Sequence, residues 1–158
     1  MQTESARMSS GAESRFRIQD PNSKPRVIKV IALDSASEPL LKQVASGSWQ
    51  NASFLSAAAF PDTARDFCGQ PKDLTNEIEA ADLVVMVAAP GGEAHAASVI
   101  GETCSARRIM TTALVIGANH ASDEAVSKTL SQLRPWSLML VAADPDEYIE
   151  GMLTALRA

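Results

Sequence analysis

The sequence predicts a three-layer, Rossmann-like α/β domain with a mostly parallel sheet of about five strands and helices on both faces. Three observations carry that expectation. Short β-branched apolar runs alternate with amphipathic stretches, the pattern that interleaves strands with crossover helices. One of these runs, Asp82 to Ala89, is apolar on both faces, as a central parallel strand must be. Aromatic residues make up only 4% of the chain, so Ala, Val, Leu and Ile must build the core, which suits thin strands covered by small-residue helices.

Residues 1–25 are polar, rich in Ser, Arg and Glu, and show neither helical nor strand period, so they read as a flexible arm before a single domain over 26–158. Val27 to Leu33 is the first strand: β-branched, short, and ended by Asp34-Ser35. Pro39 to Ala45 has apolar residues at helical spacing, with Gly47 as its stop. Ala52 to Ala57 is a weaker strand, and Pro61 to Pro71, holding Cys68-Gly69, reads as a loop. Asp73 can cap a helix through Leu74, Ile78 and Ala81, ahead of the central strand.

Pro90-Gly91-Gly92 breaks that strand, and a small-residue helix is expected from about Glu93 to Ser105 with Ala97, Ile100 and Cys104 on one stripe. Ile109 to Ile116 is the next strand, ended by Gly117. Ser122 caps a helix carrying Val126, Leu130 and Leu133, which Pro135 stops. Ser137 to Ala143 is the last strand. Asp144-Pro145-Asp146-Glu147 then starts a helix with a cap, a proline at the first helical position and a capping-box glutamate. Ile149, Met152, Leu153 and Leu156 fall on one face of it.

Composition narrows the partners. A net charge of −5, with basic residues scattered apart from Arg107-Arg108, argues against nucleic acid, whose phosphates need a concentrated basic face. No apolar run approaches the roughly 18 residues of a membrane helix, so no membrane partner is expected. The amino-terminal residues lack the apolar centre of a secretory signal, and Glu4 and Glu13 do not suit a transit peptide, so a cytoplasmic location is expected. Cys68 and Cys104 form no CxxC pair and read as two reduced thiols.

In an open doubly wound sheet, ligands sit beyond the carboxyl ends of the strands, where strand order reverses. Four segments qualify: Asp34 to Ser37, Pro90 to Glu93, Gly117 to His120, and Asp144 to Asp146. The expected ligand-binding residues are Asp34, Ser35, Gly91, Gly92, Glu93, His95, Asn119 and His120. Gly91-Gly92 could let the backbone approach a phosphate at a helix start, although glycines also serve tight turns and Glu93 would repel an anion. His95, expected one turn into its helix, and His120 could act as acid and base or as metal ligands, with Asp34 and Asp144 completing a divalent site. They lack ligand spacing, and the aspartates are equally explained as turn and cap residues, so neither a metal nor a catalytic residue is assigned. No cofactor is assigned either. No serine lies in GxSxG, and neither cysteine has a base beside it.

The order of parts resembles the nucleotide-binding domain of the tubulin/FtsZ GTPase superfamily. The likeness runs from Ile28-Lys29-Val30-Ile31, through Glu77 to Ala89, Gly91-Gly92 and Ala96 to Ile100, to Thr112 to Ile116, with Leu130 to Val141 as a final unit. It implies a nucleotide site at the glycine turn. The family's GGGTGTG loop is matched only by Gly91 and Gly92 within Ala89-Pro90-Gly91-Gly92-Glu93-Ala94-His95-Ala96, and its first glycine-rich loop is replaced by Leu33-Asp34-Ser35-Ala36-Ser37. The resemblance therefore implies a reduced relative that does not hydrolyse GTP.

The leading expectation is a non-catalytic binding or regulatory module for an unknown protein partner or a small anionic ligand. Self-association into a homo-oligomer, with edge strands or exposed helices covered by a second subunit, is a further expectation. Trp49 and Trp136 could anchor a contact or simply cover the core. The alternative is a nucleotide-dependent transferase or hydrolase using Asp34, His95 and His120 around Gly91-Gly92.

Overall fold

A computed structural model describes residues 26–60, 64–143, 145–156 and 158. The chain is an α/β protein built on one seven-stranded sheet. The strands are β1 (Ile28–Ala32), β2 (Ala52–Ser56), β3 (Ala64–Asp66), β4 (Pro71–Lys72), β5 (Leu83–Ala88), β6 (Met110–Ile116) and β7 (Met139–Ala143). The helices are α1 (Glu38–Ala45), α2 (Leu74–Glu79), α3 (Ala96–Arg107), α4 (Asp123–Leu133) and α5 (Pro145–Ala155), with short 3₁₀ turns at Ala118–His120 and Arg134–Trp136. Sheet order is β4-β3-β2-β1-β5-β6-β7. The five strands β2-β1-β5-β6-β7 run parallel, and β3 and β4 add an antiparallel margin.

The expected sheet of about five strands is thus corrected to seven. The two extra strands lie in the stretch read as a loop between Pro61 and Pro71. They are too short to show a two-residue period, and pairing defines them instead, β3 to β2 and β4 to β3. A local device folds them back: the Asp66 carboxylate accepts the backbone N–H groups of Cys68 (3.0 Å) and Gln70 (2.8 Å).

Strand alternation divides the core between the two faces of the sheet. In β5, Val84, Met86 and Ala88 pack into one cluster with α2, α3 and α4, while Leu83, Val85 and Val87 pack into the other with α1 and α5. All six β5 residues are buried, each large one worth about 1.5–3 kcal/mol. With α1 on one face and α2, α3 and α4 on the other, the chain winds outward from β1 in both directions, as right-handed crossovers require. Lys29, on buried β1, pairs with Glu77 of α2 at 2.9 Å and so avoids an unpaired buried charge. Trp49 is half-buried; its indole N–H donates to the Val44 carbonyl (2.7 Å) and its ring meets Phe54.

No helix among the described residues is long and apolar enough to cross a membrane. Cys68 is exposed and Cys104 buried, both as thiols, and burial pushes the Cys104 thiol from 9.0 up to about 11.

Candidate functional site: the strand-end crevice

Counting only the parallel strands, the order reads 2-1-3-4-5, and the direction of winding reverses between β1 and β5. Two loops flank that point, Leu33 to Ser37 after β1 and Ala89 to His95 after β5. Asp34, Ser35, Gly91, Gly92, Glu93 and His95 lie on these two loops, and Asn119 and His120 lie in the 3₁₀ turn after β6. Asp144 lies outside the described residues.

Asp34 is the hinge of the arrangement. Its Oδ1 accepts the Ser37 N–H (2.8 Å), and its Oδ2 accepts the Ala89 N–H (2.9 Å) from the end of β5. The carboxylate therefore ties the two loops together across the switch point. Ser37, fully buried, directs its hydroxyl towards the carbonyls of Asp34 (3.0 Å) and Val87 (3.2 Å). Ser35 is exposed on the outside of the turn.

The two glycines have separate duties. Gly91 has φ +80°, a left-handed backbone that other residues adopt only at a cost. Its N–H donates to Thr129 Oγ1 at 2.9 Å. Gly92 makes room for the aspartate: a Cβ there would stand 2.4 Å from Asp34 Oδ2. The Gly92 N–H turns back to the Ala89 carbonyl (3.2 Å), and the Ala94 N–H donates to Gln132 Oε1 (3.2 Å). Side chains from α4 and from the β1 loop thus take N–H groups that a phosphate would otherwise use.

Helix α3 begins at Ala96, so Glu93 and His95 precede it rather than lying within it. The expected start at about Glu93 is thus corrected to Ala96. His95 occupies the cap position without a side-chain cap bond. It instead meets Glu93, Nε2 to Oε2 at 2.7 Å, with the side chains 67% and 68% exposed, a surface pair of small energetic worth. Asn119 and His120 are exposed as well. Among the described residues, no group of three or more His, Cys, Asp or Glu is placed to hold a metal ion.

Thr129 and Gln132 are the site residues that sequence reasoning missed. Thr129 is fully buried, three residues from Val126 and four from Leu133, so its place on the apolar stripe of α4 was the available signal.

Two open grooves lie away from the crevice. One, about 690 Å³, runs beside the carboxyl end of β2 and includes Lys42, Ser56, Arg65 and Phe67 in its walls. The other, about 700 Å³, lies at the amino end of β6, between α3 and the Arg134–Trp136 turn, with Cys104, Ile109, Trp136 and Leu138 in its walls.

No protein-family model and no curated protein matches the chain. A solved structure does. The chain is similar to the apo form of a flavoprotein from Lactobacillus acidophilus NCFM, solved by NMR, with a TM-score of 0.51 and 8% identity over 81% of this chain and 97% of that one. At that identity the likeness is one of fold. None of these comparisons links the chain to the tubulin/FtsZ superfamily.

Proposed function

We propose that this chain is a non-catalytic binding module that engages a protein partner and holds no phosphorylated cofactor at its switch point. One observation carries the reading: the Asp34 carboxylate sits between Ser37 and Ala89, in van der Waals range of Gly92, and serves as the crevice's own anion. In the flavodoxin-like strand order a flavin phosphate would seek this point. A phosphate arriving here would meet a fixed negative charge and backbone donors already engaged by Asp34 and Thr129. The exposure of His95 and His120 also speaks for the module, because an acid–base pair works in a concave, water-poor pocket.

The small-anion version of the reading has its own support in the groove beside β2, where Lys42 and Arg65 stand near the Phe67 ring. Glu38 and Asp66 share that groove, which lowers its pull on an anion.

The test is a thermal-shift and calorimetric screen of the full chain against FMN, FAD, NAD, GTP and inorganic phosphate, with and without Mg²⁺. A ligand at about a hundred times its Kd would add about 2.7 kcal/mol of stability, a plain shift in Tm. The module reading expects no shift from any of them. A shift retained in a Lys42→Ala/Arg65→Ala variant would return the function to the crevice and overturn it. A shift lost in that variant would move the proposal to the small-anion groove.

A further inference from the structure

The groove of about 690 Å³ beside β2 differs from the crevice in what its side chains leave free. Its walls come from the first turns of α1, the end of β2, and β3 with the turn that follows it. Arg65 stands opposite Ser56 in the antiparallel β2–β3 pair, so the two side chains share one face of the sheet. That face is the one α1 covers, since the Ser56 hydroxyl donates to Glu38 of α1. Phe67, two residues on from Arg65, packs against the core cluster of the same face. Lys42 comes from α1, one turn along from Glu38.

Four charges meet here, and they are not equivalent. The Glu38 carboxylate accepts the Ser56 hydroxyl and lies in the first turn of α1, where the helix dipole favours it. The Asp66 carboxylate accepts the N–H groups of Cys68 (3.0 Å) and Gln70 (2.8 Å). Both acids are thus held by donors of the chain itself. Lys29 and Arg107 have carboxylate partners, whereas Lys42 and Arg65, both exposed, have neither a hydrogen bond nor an ion pair among the described residues. Two free cations therefore line one groove, next to apolar surface from Pro39, Ala59 and Phe67.

A small free anion placed between the cations also feels both acids, and an open groove encloses little of it. An extended segment can set separate carboxylates against Lys42 and Arg65 and lay an apolar side chain on Phe67. The net charge of −5 does not forbid an acidic partner, because distant charges are screened over about 8 Å at physiological ionic strength. We propose that the protein partner docks in this groove, and that it presents an acidic segment with an apolar side chain among its carboxylates. This docking rests on the module reading and gives the partner its chemistry.

Fluorescence anisotropy of the full chain with a labelled glutamate-rich peptide containing leucine tests it, beside versions of that peptide with glutamine or lysine in place of glutamate. Lys42→Glu/Arg65→Glu is the decisive variant, and because both side chains are exposed its circular dichroism spectrum should match the wild type. The wild type is expected to bind the glutamate peptide alone, and more weakly as salt is raised. The double variant is expected to bind it about tenfold or more weakly, because two attractions become repulsions. It should take up the lysine peptide instead, a gain that misfolding cannot give. A wild type that ignores the glutamate peptide would overturn the proposal, as would binding indifferent to the double substitution. Free glutamate bound as tightly as the peptide would make this a small-anion site, and a single-stranded oligonucleotide bound as tightly would show charge attraction alone; either result overturns it. The module reading fails on a different result, an FMN or GTP shift retained in Lys42→Ala/Arg65→Ala, so the two failures are told apart.

Discussion

At the carboxyl ends of the strands, Ala89, Gly91 and Ala94 each give a backbone N–H to a side chain from a distant part of the sequence: Asp34, Thr129 and Gln132. At the outer edge of β7, the backbone faces away from its one strand neighbour among the described residues, and Leu138 and Met139 are exposed beside it. The first region is where this architecture usually admits a small ligand, and here it has become internal structure. The second is where most sheets protect themselves, and here, among the described residues, no strand pairs beyond β7. Binding capacity therefore has to be read from what a site leaves unsatisfied, not from its position in the fold.

Substitutions can sharpen that contrast or break it. The largest loss is expected from Gly101→Ala in α3, whose Cβ would stand 2.6 Å from Trp136 Cβ and 3.0 Å from its Cα. Backbone cannot yield cheaply, so urea denaturation should show a loss of about 3 kcal/mol. That result would mean the groove near β7 is walled by close packing even though it is open. Asp34→Ala leaves the Ser37 and Ala89 N–H groups without their acceptor and should cost about 2 kcal/mol in the same assay. A neutral Asp34→Ala would break the contrast, since the crevice would then not depend on its internal anion. Thr129→Val keeps the volume and removes the hydroxyl that accepts from the Gly91 N–H and donates to the Ala125 carbonyl, so about 1.5 kcal/mol is expected.

The smallest effect concerns pH. Burial raises the Cys104 thiol from 9.0 to about 11, so the folded state keeps a proton that the unfolded chain releases. Its contribution is complete below pH 9.0 and is lost as the pH rises through about 11. Stability measured across that window should fall more steeply in the wild type than in Cys104→Ala. At neutral pH a thiol reagent should modify exposed Cys68 at once and Cys104 only after unfolding.

The strands β1, β5 and β6 were legible because burial on both faces forces continuous apolar runs such as Leu83 to Ala88. Strands β3 and β4 were not, since Ala64–Asp66 and Pro71–Lys72 are held by pairing and by the Asp66 turn, neither of which leaves a periodic trace. The switch point itself was legible from the strand-end rule, and Asp34 and Gly92 do meet there, whereas Gly91 turns to α4. Gly92 was read as room for an approaching phosphate. Room for an anion is what it provides, but the anion comes from the loop after β1 in the same chain, at Asp34, which also accepts the Ala89 N–H. A single sequence carries no record of such a long-range partner. The same is true of Gln132, which reaches from α4 to take the Ala94 N–H.

The central claim is that the crevice is closed by its own side chains. A ¹⁵N–¹H NMR titration of the full chain with FMN, and separately with GTP and Mg²⁺, tests it residue by residue. The account predicts that the amide signals of Ala89, Gly91, Gly92 and Ala94 stay in place up to millimolar ligand. Saturable shifts confined to those amides and to Ser37 would contradict it and give the crevice back to a phosphorylated ligand.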